Sequence, residues 1–279
     1  MNQHVVIDIQ CPEEEREFLI AEFSFAGAEA FQEEDQGFIA SFDPKDWNQK
    51  IIDEIIAKYN QSDVIRYTIS QVSRENWNLI WEKNFDPIVV DHSCRVRAPF
   101  HPEDPSFRYE IIVRPQMSFG TGHHATTQQM MSLLLEQELE GKRVLDIGTG
   151  TGILAILALK LGAAHVEATD VDDWCKENSL ENLALNGYHR VSVHLGEIST
   201  LPIKGKYDFV LANINKNVLL EEMAYYVDRL VGGGSLLISG FYQEDIPEIC
   251  GNVENLGLVK SKESVKANWA AVLFNRPGN

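Results

Sequence analysis

Cysteine is scarce in this chain of 279 residues: Cys11, Cys94, Cys175 and Cys250 stand far apart, without a C-x-x-C pair. That spacing suggests neither a zinc site nor a disulfide framework. Positive charge is also short, with 24 Lys and Arg against 42 Asp and Glu and a net charge of −18. Phosphate binding needs clustered cations, so direct contact with nucleic acid is not expected. No apolar run is long enough to span a bilayer, and the first residues, Met1-Asn2-Gln3-His4-Val5, form no basic, apolar leader. A reducing, cytoplasmic compartment follows as the expectation. The charge is uneven: residues 1–72 hold 15 acids and 5 bases, and the rest of the chain 27 and 19. An acidic N-terminal part fits a basic protein partner, drawn in by long-range attraction. Ordinary solubility charge accounts for the same numbers, and composition leaves both open.

What the chain does have is the stretch Val144-Leu145-Asp146-Ile147-Gly148-Thr149-Gly150-Thr151-Gly152-Ile153-Leu154. An apolar run meets three glycines at alternate positions, and a helical apolar pattern follows at once. This reads as a buried parallel strand, a tight turn and a helix N-terminus. Glycine allows sharp turning and close approach of a ligand, and the helix start offers unpaired N–H groups to an anionic group. The dinucleotide fingerprint G-x-G-x-x-G would need a third glycine at 153, which is isoleucine. The pattern present is D-x-G-x-G-x-G, which resembles motif I of the class I S-adenosylmethionine-dependent methyltransferases. Further on, Val166–Asp170 reads as a second strand ending in an acid, and a carboxylate there can accept from both ribose hydroxyls.

Residues 1–72 read as strand, helix, strand, strand, helix, strand, the order of a ferredoxin-like α+β domain. Asp43-Pro44 is expected to start the second helix, which carries Ile51, Ile52, Ile55, Ile56 and Tyr59. Residues 73–113 read as a connector: a Trp77/Trp81 helix over 74–85, then bridging strands at 88–98 and 109–113. From 114 to 279 strand and helix alternate, which predicts a doubly wound α/β sheet with its ligand crevice at the strand C-termini. A second glycine loop, Phe119-Gly120-Thr121-Gly122-His123-His124, feeds a helix predicted over Gln128–Leu139, with Thr126 and Thr127 in its first turn. Adjacent histidines point about a hundred degrees apart on a helix, and nothing nearby completes a ligand set, so no metal is expected. After Gly232-Gly233-Gly234 a fifth strand is predicted at Ser235–Ser239, and a terminal hairpin at Val259–Val265 and Trp269–Phe274. Asp146, Asp170, Glu197 and Asn213 all fall at strand ends.

Four pieces carry a closer resemblance. They are Trp77-x-x-x-Trp81-x-x-Asn84-Phe85, Phe119-Gly120-Thr121-Gly122-His123-His124-x-Thr126-Thr127, Asp146-x-Gly148-x-Gly150-x-Gly152-Ile153-Leu154-Ala155-Ile156, and Ala212-Asn213-Ile214. Together they resemble the bacterial methyltransferases of ribosomal protein L-eleven, over the whole chain. The resemblance implies a class I, Rossmann-like methyltransferase domain over 114–279, preceded by a small substrate-recognition domain over 1–72. It implies methyl transfer from S-adenosylmethionine to lysine side-chain and N-terminal amines of that basic ribosomal protein. Carried over by motif position, Thr127, Gly148, Asp170 and Asn213 are the implied cofactor contacts. Two departures stand out: Ala125 where many relatives have proline, and Asn213-Ile214-Asn215 instead of the N-P-P-aromatic run of other amine methyltransferases.

The residues themselves suggest the division of roles. Asp170 suits the ribose, Gly148 and Gly150 the close backbone approach, and Thr127 the methionine end. Asn213 can accept from an N–H donor and so orient the incoming amine or the cofactor's amino group. Glu197 is a candidate for the adenine side, against plain solvent exposure, and Asp146 for bracing the glycine turn. Rival classes use the same crevice: an NAD(P)-dependent oxidoreductase, which Ile153 argues against, a methyltransferase of another protein or a small molecule, and a non-catalytic ribosome-assembly factor.

Overall fold

The computed structural model describes the chain except residues 1–2, 35, 61–63, 74–85, 115–123, 204 and 279. It gives backbone only for residues 3, 13, 14, 17, 18, 21, 25, 33, 72 and 73. Two compact units result, Met1–Asp86 and Pro87–Asn279. The expected connector helix over 74–85 and the loop from Pro115 to His123 lie outside the described residues.

In the first unit the strands are β1 (Gln3–Gln10), β2 (Ala28–Glu34), β3 (Gly37–Phe42) and β4 (Arg66–Ser73). The helices are α1 (Glu13–Phe25) and α2 (Gln49–Tyr59). The sheet order is β2-β3-β1-β4, and every pairing is antiparallel. Each helix links two parallel strands with a third between them, the split arrangement expected from the element order. Alternate residues Ile7 and Ile9 of β1 and Phe38, Ala40 and Phe42 of β3 meet Leu19, Phe23, Ile52 and Ile56 of the helices in one core. Helix α2 begins later than the sequence suggests. The Asp43 carboxylate accepts from the Lys45 N–H at 2.9 Å, closing a local turn. The helix starts after Asn48, whose side chain accepts from the Lys50 N–H at 3.1 Å.

In the second unit a three-stranded sheet, β5 (Ile88–Val90), β6 (Cys94–Arg97) and β7 (Tyr109–Ile112), precedes helix α3 (Ala125–Leu135). Then come β8 (Arg143–Ile147), α4 (Ile153–Lys160), β9 (His165–Asp170), α5 (Asp173–Leu185), β10 (Ser192–Leu195) and β11 (Tyr207–Asn213). The chain ends in α6 (Lys216–Asp228), β12 (Leu230–Tyr242), α7 (Ile246–Asn255), β13 (Val259–Lys266) and β14 (Trp269–Asn275). The strands at 88–112 are no separate bridge: Ile88, Val90, Val96 and Ile111 share a buried core with α3 and α4.

The large sheet runs β10-β9-β8-β11-β12-β14-β13, parallel except where β14 lies antiparallel between β12 and β13. Both faces are covered. Leu211 and Leu237 belong to the core on one side, and Val210, Leu236 and Ile238 to the core with α6 and α7 on the other. Helix α4 is apolar nearly all round, and its residues 153–158 are all buried. Strand β12 is longer than expected and includes the three glycines. They absorb a register shift between the Tyr207–Leu230 and Phe209–Ser235 pairs, so the strand bulges rather than ending. Helix α3 begins at Ala125 because His124 caps it, accepting from the Thr126 N–H.

Candidate functional site

The glycine turn is held from below and from both sides. Gly148, Gly150 and Gly152 have φ of 65, 53 and 80°, a region closed to most side chains. The Thr149 N–H donates to the Thr169 carbonyl at 2.9 Å, tying the turn to β9. Beneath it lies Asp146, 1 % exposed, whose Oδ2 accepts from the Thr149 hydroxyl at 2.6 Å. Burial pushes its carboxyl up to about 7, although the Thr149 hydroxyl and the Ala155 N–H both stabilise the charge. Asp146 therefore braces the turn, as expected, but through a side-chain hydroxyl.

Asp170 closes β9 and joins the two halves of the crevice. Its Oδ2 accepts from the Gly150 N–H at 2.8 Å, and its Oδ1 from the Asp172 N–H at 3.1 Å. The Cys175 thiol donates to the same carboxylate, and Asp170 lines the larger cavity. Asn213 stands at the end of β11, where its Nδ2 donates to Thr127 Oγ1 at 3.3 Å. This bond joins the first turn of α3 to the end of β11, 86 residues apart in the sequence.

Two adjoining cavities, about 400 and 610 Å³, open at these strand ends, within the usual range for small-molecule sites. They share Gly148, Gly150, Asn213, Ile214 and Asn215. The smaller runs past Thr126, Thr127 and the start of α4 to Trp269. The larger takes in Asp170, Val171, Glu197, Ile198 and the α6 face of Val218, Glu221, Glu222 and Tyr225. All the candidate residues thus meet in one crevice. Glu197 lies on the rim of the larger cavity with its side chain exposed. Among the described residues no cluster has the makings of a metal site.

Several lining residues escaped the sequence reading. Ile214 packs where a Cβ on Gly148 would collide with its side chain, and a Cβ on Gly240 with its backbone carbonyl. Glu222 is buried and accepts from the Tyr226 hydroxyl at 2.7 Å, and burial raises its carboxyl. Spacing Val218–Glu221/Glu222–Tyr225 is one helical face, a signal present in the sequence but indistinguishable there from a core stripe. Trp269 and Gly240 carried no motif at all.

The arrangement suits a long ligand with a sugar near Asp170, a flat apolar group between Val171 and Ile198, and an anionic tail toward Thr127 at a helix N-terminus. A parallel sheet with this strand order and an antiparallel penultimate strand, carrying a D-x-G-x-G-x-G turn, defines a Rossmann-like class I methyltransferase fold. The family described as ribosomal protein L11 methyltransferase (PrmA) matches residues 3–277. The protein named ribosomal protein L11 methyltransferase from Porphyromonas gingivalis is 54% identical over 200 residues, 71% of this chain and 69% of its own length. The protein of that name from Bacteroides fragilis is 42% identical over 266 residues, 95% of each chain. Among solved structures, a ribosomal protein L11 methylase from Lactobacillus delbrueckii subsp. bulgaricus superposes with a TM-score of 0.63 at 27% identity, covering 69% of this chain and 98% of the other. The chain belongs to the ribosomal protein L11 methyltransferase family.

Proposed function

We propose that this protein transfers methyl groups from S-adenosylmethionine to lysine side-chain and N-terminal amines of ribosomal protein L11, in the cytoplasm. The observation that carries this is the meeting of Thr127, Gly148, Asp170 and Asn213 around one crevice, in a chain that matches that family from end to end. When bound, the cofactor supplies a methyl group on a sulfonium, already joined to a good leaving group. The protein's share is therefore positioning and exclusion of water. Asp170 takes the ribose hydroxyls. Gly148 and Gly150 let the backbone approach, and Thr127 with the α3 N-terminus takes the methionine carboxylate. Glu197 lies beside the adenine. Asn213, fixed by its bond to Thr127, presents its amide oxygen to an N–H of the incoming amine. A lysine amine must shed a proton before it attacks, since its ordinary pKa is about 10.4. Entry into a dry cavity beside a positive sulfonium lowers that value.

Residues 1–72 act as the recognition domain, and residues 114–279, together with the strands at 88–112 that share their core, act as the catalytic domain. The excess of 15 acids over 5 bases in the first segment supports an attraction to a basic substrate. The test is incubation with methyl-labelled S-adenosylmethionine and a mixture of ribosomal proteins. Label should enter L11 alone and appear on hydrolysis as methylated lysine and a methylated N-terminal residue. Label in another protein, or on carboxylates, would overturn the substrate or the chemistry respectively.

A further inference from the structure

The smaller cavity ends in an aromatic group that the roles above leave unused. Trp269 opens β14 directly after a tight turn in which Ala267 and Asn268 have φ of 49 and 64°. Its carbonyl accepts from Gln129 Nε2 of α3 at 3.1 Å, and Lys266 donates to Gln128 Oε1 of the same helix at 2.6 Å. These bonds fix the start of β14 against the helix that carries Thr126 and Thr127. The Tyr242 ring lies 4.3 Å from it at 34°, and the His124 ring 4.9 Å away at 69°. Trp269 and His124 line the same cavity as Asn213. So much aromatic surface, locked by neighbours on two elements, is a costly way to fill a wall that Leu or Ile would close equally well.

We propose that Trp269, held by Tyr242 and His124, is a catalytic residue that seats the acceptor amine and stabilises the charge it gains. The inference rests on the methyl-transfer reading. In that step the nitrogen lone pair forms the new N–CH3 bond, and the breaking C–S pair returns to sulfur. The positive charge therefore passes from sulfur to nitrogen, and a proton leaves the methylated ammonium for solvent. An aromatic wall attracts a cation through its ring quadrupole, and the attraction grows as water is excluded. It acts on the nitrogen only as charge develops there, which favours the transition state over the neutral amine. Methylated ammonium groups, weakly hydrated, suit such a wall better than a carboxylate, which would bind the free ammonium and hold its proton. The same wall retains a mono- or dimethylated lysine for another round.

The test compares Trp269→Leu, Trp269→Phe and Tyr242→Leu with the wild type. Cation–π attraction of this kind corresponds to a fall in turnover of about two- to thirtyfold for Trp269→Leu. Trp269→Phe should recover much of it, and Tyr242→Leu, at an exposed position, should show a smaller loss. Affinity for S-adenosylhomocysteine, measured by calorimetry, should stay within about twofold in all three. Affinity of the S-adenosylhomocysteine complex for fully methylated L11 should fall with turnover, and products should shift toward fewer methyls per amine. An equal loss of cofactor affinity would place Trp269 at the methionine end and overturn the proposal. Unchanged turnover and product distribution in Trp269→Leu would also overturn it, with the methyltransferase reading intact. If Trp269→Leu does not fold, Trp269→Phe and Tyr242→Leu decide on the same readouts. No methyl transfer by the wild type would instead refute the reading beneath.

Discussion

Asp146 and Asp170 both hold the glycine turn, one through Thr149 and the other through Gly150, and their surroundings set them different tasks. Asp170 accepts from two backbone N–H donors and lines the larger cavity, where it can accept further bonds. Asp146 is walled in, and burial outweighs its donors, so its carboxyl is pushed up to about 7. That makes it a liability for stability above neutral pH. In the unfolded chain its pKa is about 3.9. Between that value and about 7 the folded protein holds a proton that the unfolded chain has released. Stability therefore falls as pH rises through this window, by at most about 4 kcal/mol, and levels off above it. Asp146→Asn keeps an acceptor for the Thr149 hydroxyl and removes the titration. Denaturation of both proteins from about pH 5 to pH 8 should show the variant gaining on the wild type as pH rises. A difference that stays constant with pH would show that Asp146 is not held neutral by the fold.

At the scale of elements, the turn after β8 and the end of β12 are packed on opposite sides of one residue, Ile214. Gly148 faces its side chain, whereas Gly240, with φ of 100°, faces its backbone. A side chain can yield and a strand-end carbonyl cannot, so the two glycines are not equivalent. Gly240→Ala should lower the thermal midpoint more than Gly148→Ala, each costing about 1–3 kcal/mol for strain at positive φ. In an Ile214→Ala background the cost of Gly148→Ala should shrink, while that of Gly240→Ala should not. Equal costs in both backgrounds would mean that close packing on Ile214 is not what keeps these positions glycine.

These same contacts show where the sequence stops being readable. The strands β8, β9 and β11 stand out because each carries a short apolar stretch with a polar site residue at or near its C-terminal end, Asp146, Asp170 and Asn213. The helix starting at Ile153 is legible because three glycines announce it. Helix α2 is misplaced because Asp43-Pro44 carries a helix-start pattern, and nothing local says that Asp43 satisfies itself within a turn. The three glycines of β12 look like a turn because the pairs that flank them, Tyr207–Leu230 and Phe209–Ser235, are made with a strand more than twenty residues earlier. Ile214, Gly240 and Trp269 reach the crevice only through sheet pairing of β11, β12 and β14, and no local pattern encodes that pairing. The residues legible in advance are those whose chemistry is local to a turn.

For the molecule as a whole, the chain forms two compact units, and in the second the candidate crevice lies where an α/β sheet offers one, at the C-terminal ends of parallel strands. The family match, the strand order and the replacement of the third dinucleotide glycine by Ile153 all point to the same ligand. The most direct measurement is a calorimetric titration of the full chain, and of Asp170→Ala, with S-adenosylmethionine and with NAD. S-adenosylmethionine should bind the wild type at one site per chain and NAD should not. Asp170→Ala should weaken the binding about ten- to a hundredfold, the loss of a charge-assisted hydrogen bond. Binding of NAD without S-adenosylmethionine, or undiminished affinity in Asp170→Ala, would contradict the assignment of the crevice.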